Sequence, residues 1–442
     1  MKTSPRRRKH RRRAFRRLFW LLVLATLLLL LWPRRVTLDG LNSPHAILLR
    51  ADSGEVLAEK DADSTIYPAS MTKMMTALLA IEANPDLDTP VTLPEEIFPA
   101  LQAQNASLAG FQAGETATVR DLLYGAMLPS GAECCETLAR EVSGSEEAFV
   151  ARMNQKAAEL GMTGTHFCNP TGLHDPEHVS TVRDMARLTE AALQNETFRK
   201  LFTTERYTVP ATNCHPQVFT MHSTLLSQLD GTELHSGRIL GGKTGYTDQA
   251  RTTLVTMADN GDMQLVAVVL YDFGNDAYID TRAMFDYAYS NFSKISLKDQ
   301  KLPEGVKSYE DEDAYIVLPK SAQFSDVKAE VKEDSNKDGS GTVTFTYKGQ
   351  EVGSVKAAIE KTEESSAAVL GKKKDKTTST VVTGISKFMK IVIGVVIAVV
   401  ILLIIIVVLA NYRKQIRRRR RKKGKRRNAK SGNVKRKKKR RR

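Results

Sequence analysis

Ser70 and Lys73 lie three residues apart in Tyr67-Pro-Ala-Ser-Met-Thr-Lys-Met-Met, a spacing that pairs a hydroxyl nucleophile with an amine base. Residues i and i+3 share a helix face, so the Lys73 amine can reach the Ser70 hydroxyl and take its proton. Pro68 suits a helix entry, and Met71, Met74, Met75, Leu78 and Leu79 supply an apolar stripe that would bury the helix. The spacing alone is weakly specific. Roughly one or two such pairs arise by chance in a chain of this length, and Ser325-Asp-Val-Lys328 is another instance. Ser70 is set apart by two later segments, Leu128-Pro-Ser130-Gly-Ala and Leu240-Gly-Gly-Lys243-Thr-Gly-Tyr246. An acyl-transfer serine needs a base, a route onward for the proton, and dipoles aimed at the developing oxyanion. Lys73 must be neutral part of the time, and a second cation together with partial burial would lower its pKa; Lys243 is the candidate.

Taken in order, the three segments match the signature of enzymes that form penicilloyl-serine adducts. The chain resembles the low-molecular-weight penicillin-binding proteins that act as serine-type D-alanyl-D-alanine carboxypeptidases, similar to peptidase S11. The resemblance runs from about His45 to Tyr289, through His45-Ala-Ile-Leu-Leu-Arg-Ala-Asp-Ser-Gly-Glu-Val-Leu, Tyr67 to Thr76, Leu128 to Glu133, Asn169-Pro-Thr-Gly-Leu173 and Gly242 to Thr247. It implies an acyl-enzyme on Ser70, with Lys73 as general base, that removes the terminal D-Ala from peptidoglycan stem peptides and is acylated by β-lactams. It also implies Ser130 as proton relay to the leaving amine and Lys243 as an electrostatic and substrate-binding group. Thr244, Gly245 and Tyr246 would bind substrate, Thr244 through the terminal carboxylate. The backbone N–H groups of Ser70 and Tyr246 would form the oxyanion hole. No metal and no cofactor is expected.

One position departs from the family pattern. Ser-x-Asn is usual at the second segment, and Ala132 stands where the Asn is expected. A methyl group cannot replace the amide's hydrogen bonds, and losing one should cost about 1–3 kcal/mol of transition-state binding. Ser431-Gly-Asn433 repeats the pattern only within the basic tail. Ala132 therefore keeps a second reading open, a catalytically weakened wall-binding or scaffolding protein of the same fold. A third, a metallopeptidase, rests on His174-Asp-Pro-Glu-His178. Pro176 opposes a continuous helix there and the His-Glu-x-x-His spacing is absent, so the segment reads as a solvated loop.

The elements that must position these groups follow from periodicity. Residues 45 to 60 read as a hairpin turning at Ala51-Asp-Ser-Gly, and the Ser70 helix follows. Helical spacing covers Arg120 to Val142, Glu146 to Leu160 and Arg183 to Leu193. Arg238 to Lys243, Thr252 to Ala258 and Met263 to Tyr271 are β-rich, with Asp259-Asn-Gly-Asp as a hairpin signal, and Ala277 to Phe292 reads as a closing helix. The fold class expected is α+β, a sheet flanked by helices with a helical insert over 36–292, and the family resemblance implies that this catalytic domain is β-lactamase/transpeptidase-like. A small all-β domain over 293–361 follows, with alternating runs such as Thr342-Val-Thr-Phe-Thr-Tyr, then a linker over 362–388.

Charge sets the expected compartment. The net charge is +16, yet residues 1–17 hold ten Lys or Arg and residues 413–442 hold twenty-one, so the body between the tails is acidic. Residues 391–410 are uncharged, and a transmembrane helix is expected over 389–412, since about 20 apolar residues span a bilayer. Residues 18–32 read as a signal peptide or an uncleaved anchor; no small-x-small site follows, which favours the anchor. Positive charge stays in the cytoplasm, placing both termini inside and the catalytic domain outside. The basic runs Arg417 to Lys423 and Lys435 to Arg442 have no aromatics between their charges, so anionic lipids rather than nucleic acid are the expected partner. Four cysteines, Cys134, Cys135, Cys168 and Cys214, lie in the body. A Cys168–Cys214 bridge and four free thiols are both open readings.

Overall fold

The structure is a computed structural model that describes residue 38 and residues 40–230, 238–334 and 339–360. The expected linker, transmembrane helix, N-terminal anchor and both basic tails lie outside the described residues. Among the described residues, no helix is long and apolar enough to cross a membrane.

The chain begins with the hairpin of β1 (His45–Arg50) and β2 (Val56–Lys60). Residues Ala69–Thr72 form a 3₁₀ turn that leads directly into α1 (Lys73–Ala83). The helical part continues through β3 (Pro90–Thr92), α2 (Ile97–Ala103), β4 (Thr116–Thr118), α3 (Val119–Met127), α4 (Ala132–Ser143), α5 (Glu146–Glu159), α6 (Val182–Leu193) and α7 (Glu196–Phe202). Next come a hairpin of β5 (Arg206–Val209) and β6 (Phe219–His222), and a short α8 (Thr224–Leu229). The chain then returns to the sheet with β7 (Ile239–Thr247), β8 (Arg251–Asp259) and β9 (Gln264–Asp272), and closes with α9 (Asp276–Asn291).

The main sheet is antiparallel, in the order β2-β1-β9-β8-β7. Its central strands are buried on both faces, and the two-residue period divides their side chains between two cores. Ile47, Leu49, Val255, Val266 and Val268 join the helical insert around Met71, Met74 and Leu78. Ala46, Leu48, Leu254, Leu265 and Val269 pack on the other face against Met284, Phe285 and Ala288 of α9. Burying each large side chain contributes about 1.5–3 kcal/mol. α1 is buried from Lys73 to Ile81 on every side, which makes it the centre of the insert.

The helical periodicity from Arg120 to Val142 resolves into two helices rather than one. α3 is started by a capping box between Thr118 and Asp121. It stops at Met127, and Ser130 adopts φ +69° before Gly131 caps α4. The break falls at Pro129 and Gly131, the two residues in that stretch least suited to a helix interior.

Residues beyond α9 form two further antiparallel arrays. β10 (Phe292–Ser296) pairs with β12 (Tyr315–Pro319). β11 (Val306–Tyr309), β13 (Val327–Glu333), β14 (Ser340–Tyr347) and β15 (Gln350–Ile359) make a sheet in the order β11-β15-β14-β13. They share a core around Ile316, Leu318, Val343 and Phe345. Tyr315 joins this part to the main sheet. Its hydroxyl donates to Asp52, and the Arg50 guanidinium lies 4.3 Å over its ring.

Candidate active site

The expected helical face is present, though Ser70 lies in the 3₁₀ turn and Lys73 is the first residue of α1. Lys73 Nζ donates to Ser70 Oγ at 2.8 Å. Ala69 just before them has φ +50°, a left-handed conformation that costs a β-carbon-bearing residue about 1–2 kcal/mol. Surrounding contacts hold it there. Thr253 Oγ1 on β8 donates to Pro68 O at 3.2 Å. On β7, an added Cβ at Gly245 would stand 2.8 Å from Ser70 N. From the other side Gly172, at φ +79°, lies directly beneath the Ala69 carbonyl.

Gly172 belongs to Asn169-Pro-Thr-Gly-Leu173, a segment that carried resemblance but no assigned task. Asn169 Oδ1 accepts from Thr171 N, Thr171 Oγ1 and Gly172 N, and its Nδ2 donates to Leu173 O. Thr76 Oγ1 on α1 donates to Pro170 O at 2.6 Å. One asparagine thus folds the loop, and the loop supports the turn that holds Ser70.

β7 brings the second amine to the site. Lys243 Nζ donates to Ser130 Oγ at 2.9 Å and to Thr244 O at 2.8 Å. Both lysines are buried, Lys73 to 2% exposure and Lys243 to 1%. Burial holds the Lys73 amine below the usual lysine range. Burial and then repulsion from Lys73 hold Lys243 well below it. A buried amine with a depressed pKa beside a hydroxyl is equipped to take that hydroxyl's proton. The two contacts bring four of the sequence candidates into one site: Ser70, Lys73, Ser130 and Lys243. Gly245 lies against Ser70, while Tyr246 is 60% exposed with its hydroxyl donating to Asp248. Thr244, just before them, is half-buried.

Ala132 is buried at the start of α4, and its N–H donates to Ser107 O at 2.8 Å. The other Ser-x-x-Lys spacing makes no such pair. Ser325 lies in a 3₁₀ turn (Phe324–Asp326) and Lys328 in β13, both exposed and sharing no helix face.

The histidine segment corrects the expectation of a solvated loop. His174 is exposed, its ring edge-on to Tyr67, but His178 is buried. Cys168 N–H donates to His178 Nδ1 at 3.1 Å, so the neutral tautomer carries its proton on Nε2 and donates to Thr72 Oγ1 at 2.8 Å. Burial lowers the pKa of this imidazole to about 4. His178 therefore pins its loop to the 3₁₀ turn that holds Ser70. All four cysteines are free.

The family model described as D-alanyl-D-alanine carboxypeptidase, Peptidase_S11, matches residues 34–274. The chain is similar to D-alanyl-D-alanine carboxypeptidase DacF of Bacillus subtilis (strain 168), 32% identical over 335 residues, covering 71% of this chain and 81% of that one. It is also similar to D-alanyl-D-alanine carboxypeptidase DacB2 of Mycobacterium tuberculosis, 34% identical over 250 residues, 55% of this chain and 81% of that one. The crystal structure of the Streptomyces K15 DD-transpeptidase superposes with a TM-score of 0.52 at 29% identity, covering 58% of this chain and all of that one, 100%.

Proposed function

The chain belongs to the peptidase S11 family of D-alanyl-D-alanine carboxypeptidases, and on that premise we propose that it removes the terminal D-alanine from peptidoglycan stem peptides through an acyl-enzyme on Ser70. The observation that carries this reading is the pair of contacts Lys73–Ser70 at 2.8 Å and Lys243–Ser130 at 2.9 Å.

In the proposed reaction Lys73 takes the proton from Ser70 Oγ as the oxygen attacks the penultimate D-Ala carbonyl. The Oγ–C bond forms, and negative charge on the carbonyl oxygen is met by the N–H groups of Ser70 and Tyr246. Collapse breaks the C–N bond, and the proton held by Lys73 reaches the leaving D-Ala amine through Ser130, which gives up its own proton and takes that one in return. Water then attacks the ester, regenerating Ser70 and releasing the shortened stem peptide. Lys243 orients Ser130 and adds positive potential, and Thr244 binds the terminal carboxylate. A β-lactam carbonyl would enter the same path and remain as the acyl-enzyme. The product loses the D-Ala–D-Ala bond that cross-linking consumes, so the activity trims cross-linking.

We assign residues 389–412 to a transmembrane helix, the basic tails to the cytoplasmic face with its anionic lipids, and the catalytic part to the outside. Support comes from the uncharged run 391–410 and the flanking basic blocks. Ala132 favours a second reading, stem-peptide binding with little turnover.

The test is D-alanine release from a muramyl pentapeptide by the full chain, wild type against Ser70→Ala, with chelator present. Release by wild type alone is expected. Binding without release from folded wild type would favour the second reading, and release by Ser70→Ala would overturn both.

A further inference from the structure

Exposed aromatic side chains cluster at the end of the main sheet beside Ser70, and the reaction above uses only a backbone N–H among them. Register puts Tyr246 of β7 opposite Thr252 of β8, and Thr252 opposite Asp272 of β9. The chain neighbours of Asp272 are Tyr271, 38% exposed, and Phe273, 58% exposed. Single exposed aromatics are ordinary, but several together mark a binding surface.

The cluster has a defined geometry. The Tyr271 and Phe273 rings meet edge to face at 6.2 Å, and the Arg251 guanidinium lies 5.5 Å over the Phe273 ring. Phe273 N–H donates to Asp272 Oδ1 at 2.8 Å, fixing the chain as it leaves β9. Arg251 and Tyr271 have left-handed backbones, φ +56° and +63°, uncommon for bulky residues. The β8–β9 ladder slips register here, between Thr252 and Leu254, and such bulges re-aim side chains. Arg251 Nε is buried with no hydrogen-bond partner among the described residues.

The path of the substrate leads to this end of the sheet. In the carboxypeptidase reading, on which this inference rests, Thr244 holds the terminal carboxylate and the Tyr246 N–H meets the oxygen of the penultimate carbonyl. The substrate therefore runs from Thr244 towards Tyr246, and the rest of the stem continues past the turn between β7 and β8. Three stem residues separate the penultimate D-Ala from the muramyl sugar, and extended they span roughly 10–11 Å. β9 lies two strands from β7, also roughly 10 Å. A stem that turns over the sheet end thus brings its sugar to Tyr271 and Phe273.

We propose that Phe273 and Tyr271, with the side chain of Tyr246, form a platform on which a pyranose ring of the glycan stacks while its stem peptide occupies Ser70. The C–H face of a pyranose is apolar and weakly positive, matching the negative face of an aromatic ring. Arg251 adds N–H donors for sugar hydroxyls. Rings already held by one another and by Arg251 lose little freedom on binding. The platform selects stem peptides joined to glycan over free peptides.

The experiment measures D-alanine release by the full chain from a muramyl pentapeptide and from the same pentapeptide without its sugar. Wild type is expected to favour the muramyl substrate about ten-fold in kcat/KM, mainly through KM. Phe273→Ala should lower kcat/KM about ten-fold on the muramyl substrate and leave the free peptide within about two-fold, which also reports that the variant is folded. Phe273→Tyr should keep the preference, and Phe273→Leu, apolar but without a ring face, should not. Tyr271→Asn, which tolerates the left-handed backbone, should weaken it in the same way and decides the matter if Phe273→Ala does not fold. A wild type equally efficient on both substrates, an equal loss on both in the variants, or full rescue by Phe273→Leu would overturn the proposal. A wild type that releases D-alanine from neither substrate would overturn the carboxypeptidase reading and this role with it, an outcome distinct from an active wild type without preference.

Discussion

Gly172 and Ala69 approach so closely that a β-carbon at Gly172 would stand 1.9 Å from the Ala69 carbonyl oxygen. The residue before the nucleophile is held in a left-handed conformation, and the loop that holds it there arrives from about a hundred residues downstream. The position of Ser70 is therefore a tertiary property, although its contact with Lys73 is a local one.

Gly172→Ala should displace the Ala69 carbonyl and strain a backbone at φ +79°. A loss of about 2–3 kcal/mol in stability is expected, with β-lactam acylation at least ten-fold slower, because small misplacements of reacting atoms are costly. Denaturant unfolding and acylation kinetics measure the two effects. An acylation rate within two-fold of wild type would show that the loop does not set the nucleophile's position.

Lys243→Met removes a buried amine whose pKa lies well below the usual lysine value. The unfolded chain binds this proton more readily than the folded chain. Wild-type stability should therefore rise with pH from the folded value up to the ordinary lysine value near 10.4. The variant should lose that slope, gain about 1–4 kcal/mol at pH 7, and acylate on the order of 10²–10³ times more slowly. Denaturant midpoints across pH check it, and an unchanged slope would mean Lys243 is not the group responsible.

His178 has a folded pKa of about 4, below its usual 6.5. The unfolded chain takes up this proton first on acidification, so the group's contribution is intact above about 6.5 and is lost as the pH falls to about 4. The loss should reach about 2–3 kcal/mol. His178→Gln should be less stable than wild type at pH 7 and should flatten that part of the profile. Equal slopes between pH 6.5 and 4 would assign the acid sensitivity elsewhere.

Ala132→Asn restores an amide where a methyl group now sits. Recovery of one hydrogen bond to substrate should raise kcat/KM about ten-fold. A fall accompanied by lost stability would show instead that the buried space at the start of α4 cannot accept the larger side chain.

The Ser70–Lys73 contact was legible in the chain because three residues in a helical turn meet by local geometry alone. The hairpin at 45–60, the strands around Asp259-Asn-Gly-Asp and the closing helix were equally legible, since their periodicity and turn residues act over short range. Joining Ser130 to Lys243 needed a match to known segments, because 113 residues separate them and no local rule spans that distance. The helical pattern from Arg120 to Val142 hid the break that carries Ser130. Apolar spacing continues through the turn, and only the packing of α4 against Ser107, Ala109 and Gly110 holds φ +69° there. The role of His178 was likewise invisible, because whether an imidazole is solvated or buried depends on what folds over it, here the turn that holds Ser70. Residue type and spacing determined which groups could react. Burial and the approach of distant backbone decided their protonation, their partners and the floor beneath the nucleophile.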